Sequence, residues 1–342
     1  MPSPIVTGPW IGIPTPPFGL TETAPARPNP WTSPTAGYYY INGTSGSDSG
    51  NTYGTPASPR KTIPRALAAG SYVEVHGTDA FDYADPNQIV CSGTALSPVW
   101  IRGQDTSTRP TMAGSLTLKG SYAIAEYLTV DSPDGMQLAQ GDHLVARHLE
   151  CRDVSVSHSP GLSIAPDVAP FEDPLSYHVV WDCEIHDCGD WEAVVDEDNH
   201  GMTVRGVTDH AWILGCEFYH CSGDGVQVNA GTDNGALVHH IYIAGNVAHH
   251  NKQTGFWCKQ ATDVVFSQNV CYSLRPDAFA PFSPGVGLGG QYAPNRVWYL
   301  FNEVYDCDYG IQFASDLVAH NDTDAIYYVG NVIHDLVDYN NN

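Results

Sequence analysis

The sequence predicts an all-β protein, a right-handed parallel β-helix, on three observations. The first is composition. Among 342 residues there are 33 Gly, 25 Pro and 19 Tyr, a mix that favours strands and turns over helices. The second is self-similarity. "CEFYHCSGDGVQVN" (Cys216–Asn229) has degraded copies on either side, "CEIHDCGDWEAVVD" and "NVAHHNKQTGFWCK". Aligning the position before each apolar pair gives Cys183, Cys216, Asn246, Asn269, Asn302 and Asn331, at intervals of 33, 30, 23, 33 and 29 residues. A minimum near 23 suits a coil of three short strands and three turns, with longer values marking insertions; each rung buries its apolar side only when stacked on its neighbours. The third is the residue type in that slot. An inward Asn at a turn can bond backbone and the Asn one rung away, and Cys fills the same space without the hydrogen bonds.

Residues 1–36 are Pro-rich ("IPTPPFGLTETAPARPNPWTSP") and are expected to form an extended arm, which also offers a route to a homo-oligomer. Residues 37–342 form the β-helix domain. It opens with a strand, a Gly/Ser/Asn/Asp loop, a short helix over Thr62–Ala69 that caps the open end of the coil, and a strand over Tyr72–His76. From there to the end only short Val/Ile/Tyr/Phe runs between Gly, Asn and Asp turns are expected. Leu274–Asn295 reads as a rung insertion able to wall one side of a groove.

Charge and cysteine usage narrow the function classes. With 38 acidic against 14 basic residues the formal net charge is −24, which argues against nucleic acid as a partner. No stretch is long and apolar enough to span a bilayer, so no membrane partner is expected. The first residues lack the basic and apolar regions of a signal peptide, and an extracellular or virion-associated location is expected. Nine cysteines cannot all pair and show no tight CxxC; the 32- and 33-residue spacing of Cys151, Cys183 and Cys216 reads as one reused slot of buried thiols.

The segment "NGTSGSDSGNTYGTPASPRKTIPRAL", with the later "SGDGVQV" and "NxVxxN" rungs, resembles right-handed β-helix proteins of the pectate-lyase-like superfamily over roughly residues 37–338. The resemblance implies the architecture. For activity it spans lyases, hydrolases, epimerases, tailspikes and adhesins.

Period-two reading of the rungs gives the outward residues. Val226 and Val228 point in, so Gln227 and Asn229 point out; Phe256 and Cys258 point in, so Trp257 and Lys259 point out. The preceding rung is assigned to Ala193–Asp196, which sets up two columns, Val194–Gln227–Trp257 and Asp196–Asn229–Lys259. Lys259, one of four lysines, is the candidate base for abstracting the proton α to a uronate carboxylate. Asp196, Asp198 and Asp224 are the candidate Ca²⁺ ligands, since hard oxygen donors suit that ion, and similar calcium-dependent pectate lyases pair an Asp cluster with a later Lys or Arg. An Asp-Asp pair is absent from "SGDGVQ". Arg205 or Arg275 is a candidate clamp on a sugar acid, Trp257 a candidate stacking platform, and His200 an alternative acid or base.

A second outward column, His186, Tyr219, His249, Tyr272, Tyr305 and His334, is either a sugar-stacking stripe or a ladder supporting the sheet. The resulting expectation is a polysaccharide-active enzyme, a lyase of uronic-acid polymers. The alternatives are a glycoside hydrolase or tailspike-type depolymerase, using two carboxylates among Asp196, Glu197, Asp198 and Asp224, and a non-catalytic carbohydrate-binding or structural surface protein.

Overall fold

The structure, a computed structural model, describes residues 9–77, 88–104, 109–166, 175–193, 197–231, 237–274, 285–292, 294–313 and 325–337. Over these residues the chain winds as a right-handed parallel β-helix with three strand faces. One rung serves as a pattern: Val226–Asn229 lies on face A, Val238–Ala244 on face B and Val247–His249 on face C. The next rung repeats it with Thr254–Lys259, Thr262–Ser267 and Val270–Tyr272, each strand parallel to the one below. Leu116–Glu126 and Met136–Arg147 run unbroken across the A–B corner and join those faces into one sheet. They bend at Gly120 and Gly141, whose φ values are 95° and 119°; a Cβ on Gly141 would collide with the Gly120 carbonyl, so only glycine serves there.

Each rung turns three corners through single residues in the left-handed region. On the B–C corner these are Tyr127, His148, Asp182, Gln268 and Phe301, with φ between 51° and 56°, and Gly215, Gly245 and Gly330 hold the same place. His220 and His250 mark the C–A corner, and His143, Tyr177, His210 and His240 mark the start of face B. A side chain costs about 1 kcal/mol or more in that conformation, so something must hold each corner.

At the B–C corner it is the predicted slot. Asn246, Asn269, Asn302 and Asn331 form a continuous ladder, in which each Nδ2 of the first three donates to the Oδ1 of the next at 2.9, 3.0 and 2.9 Å. The same Oδ1 atoms accept backbone N–H groups from Cys216, Asn246, Asn269 and Asn302. Cys183 and Cys216 continue the slot downward. Cys151 does not: it pairs with Ile185, two places further along its strand, and Leu149 takes the slot, so the equal cysteine spacing conceals a shift of register. All nine cysteines are buried free thiols.

The helix expected over Thr62–Ala69 is absent. Ala66–Ala68 is a strand paired with Val90–Ser92; Pro64 lacks the N–H for a helical turn, and Leu67 and Ile63 face the core. The open end is covered instead by an extended segment, where Asn42 N donates to Arg60 O at 2.8 Å and Arg60 N to Tyr40 O at 2.9 Å. No helix occurs among the described residues.

The arm is extended, and from Pro9 onward it is packed against its own molecule. The outside of face B carries an apolar column including Trp100, Ile124, Val145, Val179 and Trp212. The arm lies along it, running opposite to the direction of stacking. Ser267 Oγ donates to Ile11 O at 2.7 Å, Trp212 Nε1 to Pro14 O at 2.8 Å and Arg147 Nη1 to Gly19 O at 2.8 Å, while Phe18 and Trp31 are buried in the same cluster.

His178 is fully enclosed by the coil and accepts the Leu144 N–H through Nδ1 at 3.1 Å. Burial pulls its imidazole down to about 3 from the ordinary value of 6.5. Protons then bind the unfolded chain in preference, so this residue's contribution is complete above pH 6.5 and is lost as pH falls toward the folded value. We predict a fall of about 1.4 kcal/mol per pH unit between pH 6.5 and 5 in denaturant titrations, and a flatter profile for His178→Gln; parallel profiles would refute it. For the ladder, Asn269→Ala strands the Ile243 carbonyl and the Asn246 N–H. It should cost about 3 kcal/mol, against about 1 kcal/mol for Asn331→Ala at the exposed end, read from denaturation midpoints.

Candidate functional site

Face A carries most of the candidate residues. The strand below Val226–Asn229 is Met202–Arg205, not Ala193–Asp196. The register pairs Thr203 with Gln227 and Arg205 with Asn229, and the next rung pairs Gln227 with Trp257 and Asn229 with Lys259. The outward columns are thus Thr203–Gln227–Trp257 and Arg205–Asn229–Lys259. The error arose because the chain is longer between Cys188 and Met202 than between Cys221 and Val226, so counting back one copy falls short of the strand. Asp196 and Arg275 lie outside the described residues, as do Val194 and Val195.

Behind these columns lies a buried polar network built on the Gly-Asp-Gly turn. Asp224 is 1% exposed. Its Oδ1 accepts the backbone N–H of Thr254 at 3.2 Å and a very short bond from the Thr254 hydroxyl, and its Oδ2 accepts Gln227 Nε2 at 2.7 Å. The Asp224 N–H donates to His200 Nδ1 at 2.9 Å. Asn229 Nδ2 donates to Gln227 Oε1 at 3.0 Å, which links the network to the outer column. Such a set is stable because each buried polar group has a partner.

That geometry corrects three expectations. Asp224 is a structural carboxylate: both oxygens are engaged by protein donors, so it does not fit a Ca²⁺ ligand. His200 is 6% exposed and faces Asp224 and Gln227 (its Nε2 is 3.1 Å from Gln227 Nε2), which suits a positioning group better than a solvent-facing acid or base. Trp257 points outward from the strand and is nevertheless only 6% exposed; its ring lies over Gly289 on the next rung, where a side chain would collide with it. Asp198 is half-buried, with Oδ1 accepting Gln253 Nε2 at 3.1 Å and lying 3.6 Å from His200 Nε2. Lys259 is half-buried and Arg205 exposed, so both cations are open to a ligand.

Tyr219 and His249 are not part of this face. They belong to face C, in a stack of rings running His186, Tyr219, His249, Tyr272, Tyr305 and His334 with centroid separations of 4.7, 5.2, 4.9, 5.1 and 5.2 Å. The polar ends of the stack are tied to acids, Tyr219 Oη to Glu184 at 2.7 Å and His249 Nε2 to Glu217 at 3.1 Å. The rings stack on one another and make a ladder.

Three residues escaped the sequence reading. Thr254 closes the network on Asp224; it stands 30 residues after it, the same interval as Cys216 to Asn246, so rung spacing could have found it. Lys252 is 1% exposed, in a turn that stacks directly on Cys221–Asp224 through Lys252 N to Cys221 O at 3.0 Å. Trp191 stacks on His220 at 4.7 Å beside the same turn; it sits in the longer stretch between Cys188 and Met202, where periodicity carries no information. Elsewhere, at the start of face B, a carboxylate and imidazoles (Asp209, His210, His240) come close enough to share one ion.

No family model matches this chain and no curated protein matches it. Among solved structures it is similar to pectate lyase Pel9A, with 13% identity, TM-score 0.53 and coverage of 87% of this chain and 77% of that one. It is also similar to a GH136 lacto-N-biosidase from Eubacterium ramulus, with 15% identity and TM-score 0.52, covering 87% of this chain and only 55% of that one. At such identities the likeness establishes the fold alone: the chain is a right-handed parallel β-helix protein.

The network predicts the behaviour of Asp224→Asn. An amide has one acceptor oxygen and cannot serve both Thr254 and Gln227, so the variant should lose about 1–3 kcal/mol of stability in denaturant titration. Wild-type stability would mean that the carboxylate does not hold the turn.

Proposed function

We propose that the protein acts on polysaccharide along face A, as a lyase cleaving uronic-acid polymers by β-elimination. The observation that carries this reading is the outward column Arg205–Asn229–Lys259. It places two cations and an amide in vertical register on a chain of net charge −24, with successive rungs about 4.8 Å apart. A locally basic strip on an acidic protein suits a polymer bearing one carboxylate per sugar. Arg205 would clamp a uronate carboxylate bidentately, and Asn229, fixed through Gln227 and Asp224, would bond a hydroxyl. Once its ammonium has given up a proton to solvent, the Lys259 amine would use the freed lone pair to take the proton α to the carboxylate. The electron pair left on that carbon forms the double bond, the glycosidic C–O bond breaks, and the departing oxygen takes a proton from solvent. No step is routed through calcium: Asp224 has both oxygens engaged by protein donors, Asp196 lies outside the described residues, and Asp198 alone remains of the three expected ligands. A polymer substrate fits a location outside the cell or on a virion.

The test is incubation with polygalacturonate, alginate and related polymers, following the ultraviolet absorbance of an unsaturated uronate product. Wild-type protein should generate it, and Lys259→Ala should reduce the rate about 10²–10⁴-fold with an unchanged circular dichroism spectrum. Absence of product from every uronate polymer, or full activity in Lys259→Ala, would rule the lyase out; release of reducing ends without that absorbance would point to hydrolysis.

A further inference from the structure

We infer that the start of face B holds a second site, unconnected with face A, which binds one divalent transition-metal ion of the Zn²⁺ type through Asp209, His210, His239 and His240. In a regular strand neighbouring side chains point to opposite sides. Here the third residue of each strand is left-handed, with φ of 59° at His210 and 56° at His240. That breaks the alternation and brings each residue and its predecessor to the same side, as pairs Asp209–His210 and His239–His240. Register then sets Asp209 directly below His239.

Three imidazole nitrogens converge on one carboxylate oxygen. From Asp209 Oδ1 the distances are 2.5 Å to His210 Nδ1, 3.0 Å to His239 Nδ1 and 3.4 Å to His240 Nδ1. The Nδ1 atoms of His239 and His240 are themselves 2.7 Å apart. Ligand atoms around a tetrahedral ion with bonds of 2.0–2.1 Å stand about 3.3 Å apart, so small side-chain rotations would seat one.

Two features point to a ligand and not to a mere ring stack. Asp209 Oδ1 and His210 Nδ1 are both without solvent contact, and although they lie 2.5 Å from each other neither makes a hydrogen bond of acceptable geometry, so both are held by close approach of donor atoms alone. Buried polar atoms in that condition are unusual and costly. Ring packing accounts for His210 on His240, at 4.5 Å and 4°, and for His239 edge-on to His240, at 4.9 Å and 79°, but not for the Asp209 carboxylate, which turns into the same point. The neighbouring carboxylate Asp263 is taken by Arg296, at 2.7 and 2.6 Å, and stays outside the set. All four side chains keep between 28% and 41% of their surface, so an ion has access. Imidazole-rich donors with one carboxylate select Zn²⁺, Ni²⁺ or Cu²⁺ over Ca²⁺ or Mg²⁺. Bound there, the ion would clip two successive rungs together.

Isothermal titration of untagged full-length protein with Zn²⁺ tests this, with thermal melts with and without the ion as a second measurement. One equivalent should bind. His239→Ala and Asp209→Asn should each weaken binding at least tenfold and remove the Zn²⁺-induced rise in melting temperature, while their metal-free melts stay close to wild type, since neither side chain lies in the core. Co²⁺ in place of Zn²⁺ should give the intense visible bands of a tetrahedral nitrogen/oxygen site, lost in both variants. No binding at one equivalent, or equal affinity in wild type and both variants, would overturn the inference.

Discussion

The left-handed corner and the side-chain ladder that holds it are the device on which the rest of this molecule depends. A three-sided coil needs an abrupt turn after every few residues, and one residue with positive φ provides it. Phe301 and Tyr127 accept that conformation because the next residue anchors the turn. In the later rungs the anchor is an Asn whose amide joins backbone groups of two rungs. In earlier rungs Cys or Leu fills the same space by packing alone. The ladder is therefore graded, with hydrogen bonds concentrated toward the C-terminal half.

Once corners recur in register, every outward side chain acquires neighbours about 4.8 Å above and below, and chemistry becomes a matter of columns. One column is rings, another Asn, another the Arg205–Asn229–Lys259 strip. This explains how an acidic chain can present a basic strip: overall charge governs distant encounters, whereas anything lying along a column would meet only the few groups of that column. The buried Asp224–Gln227–His200 set behind that strip orients the amides of Gln227 and Asn229 through hydrogen bonds from one to the next.

The N-terminal arm shows the same economy on another face. Face B has apolar side chains on both sides of its strands, those facing inward to the coil and those facing outward to the arm. Trp100, Val145 and Trp212 would be an exposed hydrophobic strip without it. Arg147, held by Glu126 on one side and two arm carbonyls on the other, ties the arm near its middle.

Sequence alone determined the coil, because strand period, turn residues and the repeating Asn/Cys slot are local patterns that stacking can satisfy in only one way. It also determined which of Gln227, Asn229, Trp257 and Lys259 share columns, since those residues lie in uninterrupted copies of the repeat. Tertiary structure decided the rest. It replaced Asp196 by Arg205 as the partner of Asn229, because a longer connection breaks the count. It turned Asp224 from ligand to scaffold and covered Trp257, because burial depends on what neighbouring rungs contribute. It folded the arm onto face B and brought Asp209 and His239 together through left-handed residues that no periodicity announces. The physical reason is common to all of these: alternation along a strand is a property of one segment, whereas contact across rungs depends on the length and path of everything between them.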